Sequence, residues 1–285
     1  MRRSLLPGLF AVVSLCAVAC GPSPPARQYE LRGQILAVNR ADGVVTIRHG
    51  DIPGFMPAMT MSFKVKDKRL LEGRARGDLV KGTLAVTDTN AYLIRLDLTG
   101  HADVVQTGAR PASVAEILQP GAMVPDVRLV DASGRPFQFS SLRGSAVALT
   151  FIYTRCPLPQ FCPLMDRQFA ALLGRIRDDP NLRGSVRMLS ISFDPEYDTL
   201  AVLGAHQRRV GADGTIWRFA SADREAVDAF AARFGMVVVR DDPGGITHNL
   251  RTAIVDRQGR LMKIYNGSEW TAGDLAADLA KTAGT

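Results

Sequence analysis

Two cysteines lie close together in the middle of the chain, in the segment Thr154-Arg155-Cys156-Pro157-Leu158-Pro159-Gln160-Phe161-Cys162-Pro163. The apolar run 146–153 before them predicts a buried strand, and the pattern over 163–176 predicts an amphipathic helix. Cys162 then takes the N-cap position and Pro163 the first helical position. The free N–H groups and the positive dipole end of that helix are expected to lower the pKa of the Cys162 thiol. Because thiolates bind soft metal ions and attack disulfides, this turn is a candidate metal or redox site.

The spacing of the two cysteines predicts a loop between them. Residues six positions apart point to different sides of a helix at about 100° per residue, so a continuous helix would separate the two sulfurs. The five intervening residues, with Pro157 and Pro159, must therefore fold Cys156 back over Cys162. The alternative is a plain structural disulfide in an exported protein. The other two of the four cysteines, Cys16 and Cys20, lie near the N-terminus, which excludes a scaffold held by several disulfides.

The first twenty residues have the pattern of a secretory signal. Arg2 and Arg3 precede an apolar run, which is too short and wrongly flanked for a spanning helix. Ala17-Val18-Ala19-Cys20 resembles a bacterial lipobox, which implies that Cys20 becomes the lipidated first residue, although Ala17 stands where lipoboxes usually carry Leu. Ordinary cleavage at this A-x-A-like site is the alternative. Residues 21–27 form a proline-rich tether, so we expect an exported, periplasmic lipoprotein anchored to a membrane.

Length and composition indicate about two globular domains. The chain has 285 residues, of which 46% are hydrophobic and 22% charged. A net charge of +7 could indicate nucleic-acid binding, but the basic residues are scattered and the chain carries an export signal. We therefore exclude a nucleic-acid partner and expect the charge to favour solubility near an anionic membrane.

Residues 28–100 alternate with period two and predict five short strands, which suit a small all-β, OB-like barrel. The segment Met59–Val65 places Met59 and Met61 on the same face as Phe63. Methionines at this spacing commonly fill a core. Here, however, Met56 lies nearby and His49 ends the preceding strand, and thioether and imidazole groups together suit Cu(I).

The segment from His49 to Phe63 resembles the CusF-like family of periplasmic copper-binding barrels, across the whole predicted domain. That resemblance implies that His49, Met59 and Met61 bind copper. A Trp caps the metal in the well-known member of the family, and this sequence offers Met56 one residue short of the equivalent spacing. Met56 is then either a fourth ligand or a lid.

After a predicted linker over 101–120, where His101 is interpreted as a solvated loop residue, strands and helices alternate over 121–285. A parallel βαβ core with cysteines at the first strand-to-helix turn, closed by a hairpin and a helix, predicts a thioredoxin-like α/β domain. His206 lies on a predicted helix beside Gln207-Arg208-Arg209, and we interpret it as a surface residue.

Four segments of this second domain resemble the Sco/SenC copper chaperones: Phe151-Ile152-Tyr153-Thr154-Arg155-Cys156 with Cys162-Pro163, Ser192-Phe193-Asp194-Pro195-Glu196-Tyr197-Asp198-Thr199, Ile246-Thr247-His248-Asn249, and Ile254-Val255-Asp256-Arg257-Gln258-Gly259. The resemblance implies that Cys156, Cys162 and His248 bind one copper ion. It also implies assembly of the Cu-A centre of cytochrome c oxidase, with an oxidase subunit or another cuproprotein as the partner. Asp194 and Asp198 are predicted to support the site or to anchor its loop. The family usually has three residues between the cysteines, whereas this chain has five.

Two other functions remain open on the same residues. Two neighbouring thiols can reduce a disulfide, so the second domain could be an enzyme, a thiol-disulfide oxidoreductase. Against this, the chain lacks both the two-residue spacer of a general disulfide reductase and the Thr/Ser-x-x-Cys turn of a peroxidase. The barrel is also compatible with a role in copper resistance or buffering. The copper ligands would then be the same, and only the recipient of the copper would differ.

Overall fold

The computed structural model describes residues 26–56, 58–88, 90–104, 117–241 and 245–283. The predicted signal, Cys20 and most of the predicted linker lie outside these residues. The first domain is a closed five-stranded barrel with the strand order β1-β2-β3-β5-β4. Its strands are β1 (Arg27–Asn39), β2 (Val44–His49), β3 (Met59–Val65), β4 (Asp78–Val86) and β5 (Ala91–His101). The predicted all-β barrel is confirmed.

The interior of the barrel follows the predicted alternation. Strands β2 and β3 pair antiparallel, so that His49 lies opposite Met59, Ile47 opposite Met61, and Val45 opposite Phe63. All six side chains are buried, because alternate residues of each strand point to the same side of the sheet. His49 and the two methionines therefore share the inner face of the barrel.

The second domain is built on a mixed seven-stranded sheet with the order β14-β13-β8-β9-β10-β6-β7. Its strands are β6 (Arg128–Asp131), β7 (Pro136–Gln138), β8 (Ala146–Ile152), β9 (Val186–Ser192), β10 (Trp217–Ser221), β13 (Arg251–Val255) and β14 (Leu261–Asn266), and a separate hairpin contains β11 (Val238–Asp241) and β12 (Gly245–His248). The helices are α1 (Cys162–Asp178), α2 (Pro180–Arg183), α3 (Leu200–Arg209), α4 (Arg224–Ala232) and α5 (Ala272–Ala283). This arrangement confirms the predicted thioredoxin-like α/β architecture.

The sheet places the cysteine segment at the end of a fully buried strand. All seven residues of β8 are buried, because parallel β9 flanks it on one side and antiparallel β13 on the other. The chain leaves β8 at the carboxyl edge of the parallel strands, forms the cysteine loop and enters α1. Helix α1 packs against α5, and both helices contact β8.

Three local predictions were wrong. Helix α1 begins one residue earlier than predicted, so that Phe161 is the N-cap and Cys162 the first helical residue, because Pro163 is equally compatible with the second position. The paired strands β11 and β12 were missed, since the proline- and glycine-rich sequence between them obscures the strand pattern. His101 lies at the end of β5 rather than in a linker, and its Nδ1 lies 3.1 Å from Asp78 Oδ1.

Among the residues that the structure describes, no helix combines the length and the hydrophobicity that a membrane span needs.

Candidate functional site

The structure brings Cys156, Cys162 and His248 together. Cys156 is the central member, because its thiol interacts with both the Cys162 thiol and the His248 ring. Both cysteines are buried and both are free thiols. The intervening loop is held by Leu158, which is fully buried, and by a hydrogen bond from the Phe161 N–H to the Leu158 carbonyl. This loop folds Cys156 back over Cys162, as the spacing predicts.

The two thiols differ in their readiness to ionise. Burial alone would raise the pKa of Cys156, but its interactions with the Cys162 thiol and the His248 ring bring the pKa well below its usual value. Burial, followed by the neighbouring Cys156, raises the pKa of Cys162 well above its usual value. The predicted lowering at Cys162 is therefore wrong, because burial and the second sulfur outweigh the helix dipole. Cys156 is therefore the thiol of the pair that loses its proton first.

An aromatic pocket positions His248 at the end of β12. Its ring lies 4.8 Å from the Phe193 ring, 5.4 Å from the Tyr153 ring and 6.4 Å from the Phe161 ring. The ring Nδ1 lies 2.9 Å from the Asn249 carbonyl oxygen, which can only accept, so Nδ1 carries the proton. This leaves the lone pair on Nε2, the nitrogen through which a neutral imidazole can bind a metal ion.

Asp194 and Asp198 anchor the segment that leads into the cysteine loop. The Arg155 Nε donates to Asp194 Oδ2 at 2.7 Å. Asp198 accepts hydrogen bonds from the backbone N–H of Thr154 at 3.1 Å, from the Thr154 hydroxyl, and from the Ser192 hydroxyl at 2.5 Å. Burial raises the pKa of Asp198, and these donors counteract that effect. The two carboxylates thus tie the turn after β9 to the residues just before Cys156.

A buried polar cluster lies behind the cysteines. The interpretation of His206 as a surface residue is wrong, because its side chain is buried and its Nε2–H donates to Asp166 Oδ2 at 2.8 Å. Arg209 donates to His206 Nδ1 at 2.5 Å, which fixes this tautomer. Asp166 follows Cys162 by one helical turn, and Phe169 continues the same buried stripe. A charged residue in an apolar stripe needs a buried partner, and that signal could have identified the cluster.

A cavity of about 470 Å³ opens beside both cysteines, between α1 and α3. Tyr153, Asp166, Arg167, His206 and Arg209 contribute to its lining. Although the two sulfurs are largely buried, this cavity gives solvent and small molecules an approach to them.

The barrel forms the second candidate site around His49. Burial lowers the pKa of His49, which favours the neutral ring. Its Nδ1 lies 2.7 Å from the Gly50 carbonyl oxygen and therefore carries the proton. Its Nε2 is buried and has no hydrogen-bond partner within the described part of the chain. An orphaned buried nitrogen opposite Met59 is the arrangement expected of a metal ligand.

Met56 lies in a tight turn that follows His49. Its backbone exchanges hydrogen bonds with Ile52, and its side chain is buried. The neighbouring Phe55 stacks on Tyr29 with the ring centroids 4.5 Å apart. The Asp51 carboxylate accepts a hydrogen bond from the Ala58 N–H at 2.6 Å and so closes the base of the turn.

Within the described residues, no three His, Cys, Asp or Glu side chains converge on one point as the ligands of a bound metal do. In the second domain the contacts are pairwise and centred on Cys156, since Cys156 interacts separately with Cys162 and with His248. In the barrel the set has a single imidazole, and the remaining candidates are thioethers. A metal ion would have to replace the hydrogen bonds of Cys156.

Two family models match the chain. Residues 115–284 match the family described as SCO1/SenC. Residues 28–97 match the family described as copper binding periplasmic protein CusF. No curated protein matches the chain.

Solved structures support the fold of the second domain. A SCO1/SenC family lipoprotein from Bacillus anthracis str. Ames aligns with a TM-score of 0.52 and 23% identity, over 59% of this chain and 99% of that chain. BsSco, described as a member of the Sco family of cytochrome c oxidase assembly proteins, aligns with a TM-score of 0.51 and 24% identity, over 59% of this chain and 98% of that chain. Since the SCO1/SenC model matches more than half of this chain, the chain belongs to the SCO1/SenC family.

Proposed function

We propose that this protein is a copper chaperone with one copper site in each domain. The observation that carries the proposal is the position of the Cys156 thiol against both Cys162 and His248, in a chain that belongs to the SCO1/SenC family. Copper is the cargo, and the protein binds and releases it without changing the metal.

In the second domain, Cys156, Cys162 and His248 are the proposed ligands. Two thiolates and a neutral imidazole form a soft donor set, which copper favours. Cu(I) binding replaces the hydrogen bonds around Cys156, and each cysteine that enters as a thiol releases its proton to solvent. Asp194 and Asp198 have a positioning role, because they hold Thr154 and Arg155 and thereby the start of the loop.

In the barrel, His49, Met59 and Met61 are the proposed ligands, and Met56 closes the site as a fourth ligand or a lid. All these ligands are neutral, so a Cu(I) ion bound there keeps its positive charge. The barrel site therefore holds copper without displacing protons, provided that His49 is neutral. The match of residues 28–97 to the CusF model supports this assignment.

The recipient proposed for the copper is a cuproprotein, in particular the Cu-A centre of cytochrome c oxidase. BsSco, which shares the fold, is described as a member of a family of cytochrome c oxidase assembly proteins. We further propose that the protein is exported and tethered to a membrane through lipidated Cys20. Replacing Cys20 with Ala should release the exported protein from the membrane fraction, and retention there would contradict the anchor.

The second candidate function is thiol-disulfide exchange. The observation that favours it is the unequal ionisation of the pair, since a low-pKa Cys156 beside a protonated Cys162 provides an attacking thiolate and a resolving thiol. This activity and copper binding compete for the same two sulfurs. A copper-free, reduced form could therefore reduce a disulfide of the recipient, which leaves Cys156 and Cys162 joined as a disulfide, and a separate copper-loaded molecule would then deliver the metal.

An anaerobic Cu(I) competition titration tests the copper sites. The reduced soluble fragment from Gln28 is compared with the double variants Cys156→Ser/Cys162→Ser and Met59→Leu/Met61→Leu. Met188→Leu is the matched control, because it replaces a buried methionine in β9. We expect two Cu(I) per chain, one lost with each double variant and none lost with the control.

A chain that binds only one Cu(I), unaffected by the cysteine variant, would refute the copper site of the second domain and favour the oxidoreductase. Binding that survives Met59→Leu/Met61→Leu unchanged would show that the methionines only fill the barrel core. The two sites are thus tested separately.

A further inference from the structure

The two domains touch through the strands that carry their candidate ligands. Strand β12, which ends at His248, packs against β3, which begins at Met59. On one edge β3 pairs with β2 from Met59 to Lys64, whereas on the other its described pairing with β5 is confined to Lys64 and Val65. The first part of β3 therefore leaves an edge that a second strand can approach.

The burial pattern of β3 shows where this contact lies. Residues 59, 61 and 63 face the barrel interior, so Thr60 should face outward, yet only 7% of Thr60 is exposed. Ser62 is half-buried and Lys64 is exposed, as outward residues of a barrel normally are. The outward face of β3 is therefore shielded from solvent mainly at Thr60, which lies between the two methionines of the barrel site.

Two polar contacts join the domains, one on β3 itself and one on the neighbouring strand β5. The Gln160 side-chain amide, in the loop between the cysteines, donates to the carbonyl oxygen of Ala91 at the start of β5. Lys64 of β3 forms an exposed ion pair of 3.2 Å with Glu269 of the second domain. The contact thus includes the cysteine loop itself. We call the set β3, Ala91, β12, Gln160 and Glu269 the interdomain contact.

The histidines of the two candidate sites make the same hydrogen bond. His49 and His248 each bond Nδ1 to the carbonyl oxygen of the next residue, so both leave Nε2 for a metal ion. Neither ring needs a change of tautomer or a proton to bind or release Cu(I). The cysteines also border the cavity between α1 and α3, which leaves them a second approach, separate from the contact with the barrel.

We propose that Cu(I) passes within one chain from the barrel site to the cysteine site across the interdomain contact. This inference rests on the proposed function. In the transfer, Cu(I) loses His49, Met59 and Met61 and gains Cys156, Cys162 and His248. The copper keeps its oxidation state, and each thiol that becomes a ligand gives its proton to solvent.

The ligand types set the direction of transfer. The barrel offers neutral thioethers and an imidazole, whereas the second domain offers thiolates, which bind Cu(I) more strongly through charge and softness. The barrel therefore captures the ion, and the cysteine site receives it and presents it at the cavity. Tethering helps, since a linked site acts at an effective concentration of about 1 mM.

Stopped-flow kinetics with the full chain, purified in mild detergent and reduced under argon, tests the transfer. Cu(I) is supplied as its acetonitrile complex at less than one equivalent, and the copper–thiolate absorbance is followed. We expect a first-order phase whose observed rate constant is independent of protein concentration. A mixture of copper-loaded Cys156→Ser/Cys162→Ser chain and copper-free Met59→Leu/Met61→Leu chain, at about 10 µM, should transfer about 100-fold more slowly.

Variants of the interdomain contact complete the test. Gln160→Ala/Glu269→Lys removes one polar contact and turns the other into a repulsion, and we expect it to slow the first-order phase at least tenfold. Adding Lys64→Glu restores the ion pair with opposite signs and should recover part of the rate. None of these residues is a proposed ligand, so the equilibrium affinities of both sites should remain unchanged.

A transfer rate proportional to protein concentration, or a rate that the contact variants leave unchanged, would overturn the inference. Equilibrium titration separates this failure from that of the proposed function. Two tight sites without a first-order phase would refute only the intramolecular transfer, whereas the absence of either site would refute both proposals.

Discussion

Replacing Gly33 with Ala should damage the barrel site without touching a candidate ligand. Gly33 of β1 pairs with His49 of β2. A Cβ atom at position 33 would lie 2.5 Å from the Arg48 carbonyl oxygen, 2.6 Å from Ile47 Cγ2 and 2.9 Å from His49 Cα. Two of these atoms belong to the backbone, so β2 would have to move. At Gly50, on the other side of His49, a Cβ would meet nothing within 4 Å.

The expected magnitude follows from this crowding. Overpacking that forces a backbone shift costs about 1–3 kcal/mol. For a domain of this size, 1 kcal/mol shifts the Tm by about 4–8 °C, so Gly33→Ala should lower the Tm of the barrel by about 4–24 °C. Because the shift moves His49 relative to Met59, Cu(I) affinity at the barrel site should fall about 10- to 100-fold. Gly50→Ala should change stability by no more than about 0.5 kcal/mol.

The positions of the tryptophans allow the unfolding of the two domains to be distinguished. Both tryptophans, Trp217 and Trp270, lie in the second domain, so their fluorescence reports its unfolding and not that of the barrel. Far-UV circular dichroism reports both domains. Gly33→Ala should bring an earlier transition in circular dichroism, while the tryptophan transition stays close to that of the native chain.

Two results would refute the reasoning at different steps. If Gly33→Ala melts like the native protein, the close approach of β1 and β2 is wrong. If the barrel is destabilised but binds Cu(I) with native affinity, while Gly50→Ala behaves as the native protein does, the geometry is right and His49 is not a ligand.

Two further predictions concern the second domain. Partial burial acts to raise the pKa of Asp278, but hydrogen bonds from Lys263 and Lys281 lower it below its usual value. Its stabilising contribution is therefore fully present above the unfolded-state pKa, about 3.9, and is lost as the pH falls from there through the lower folded-state pKa. Asp278→Asn should therefore flatten the acid side of the stability curve, measured by urea unfolding between about pH 2 and pH 5. An unchanged acid limb would contradict this assignment. Replacing His206 with Leu should lower the free energy of unfolding by about 1–3 kcal/mol, because Asp166 loses its partner. Adding Asp166→Leu should recover part of that loss, measured by urea unfolding followed by tryptophan fluorescence. A double variant no more stable than His206→Leu alone would show that the loss of this pair is not the cause.

Much of the fold could be predicted because its signals are local. Strand β3 was predicted with its observed bounds, since Met59 to Val65 alternate strictly and face a paired strand. Strand β8 and helix α1 follow from an apolar run and an amphipathic period. The apposition of Cys156 and Cys162 also follows from local chemistry, because two prolines prevent a continuous helix between them.

The parts that could not be predicted depend on contacts between distant residues. The partner of His206 lies forty positions earlier, at Asp166, and only the packing of α3 near α1 reveals it. The aromatic pocket of His248 brings Tyr153 and Phe193 from two different strand ends. The inverted ionisation of the cysteines has the same origin: a helix dipole can be anticipated from sequence, whereas burial and the second thiol belong to the tertiary structure.

The long spacing between the cysteines and the presence of the barrel have a common explanation in this structure. The Sco/SenC resemblance implies three residues between the cysteines, and this chain has five. The longer loop supplies Gln160, which bonds to the barrel at Ala91, and Phe161, which packs near His248. Buried Leu158 holds the loop in place, so the extra length does not loosen the cysteine pair. In this structure the cysteine loop therefore both holds the thiols and contacts the neighbouring domain.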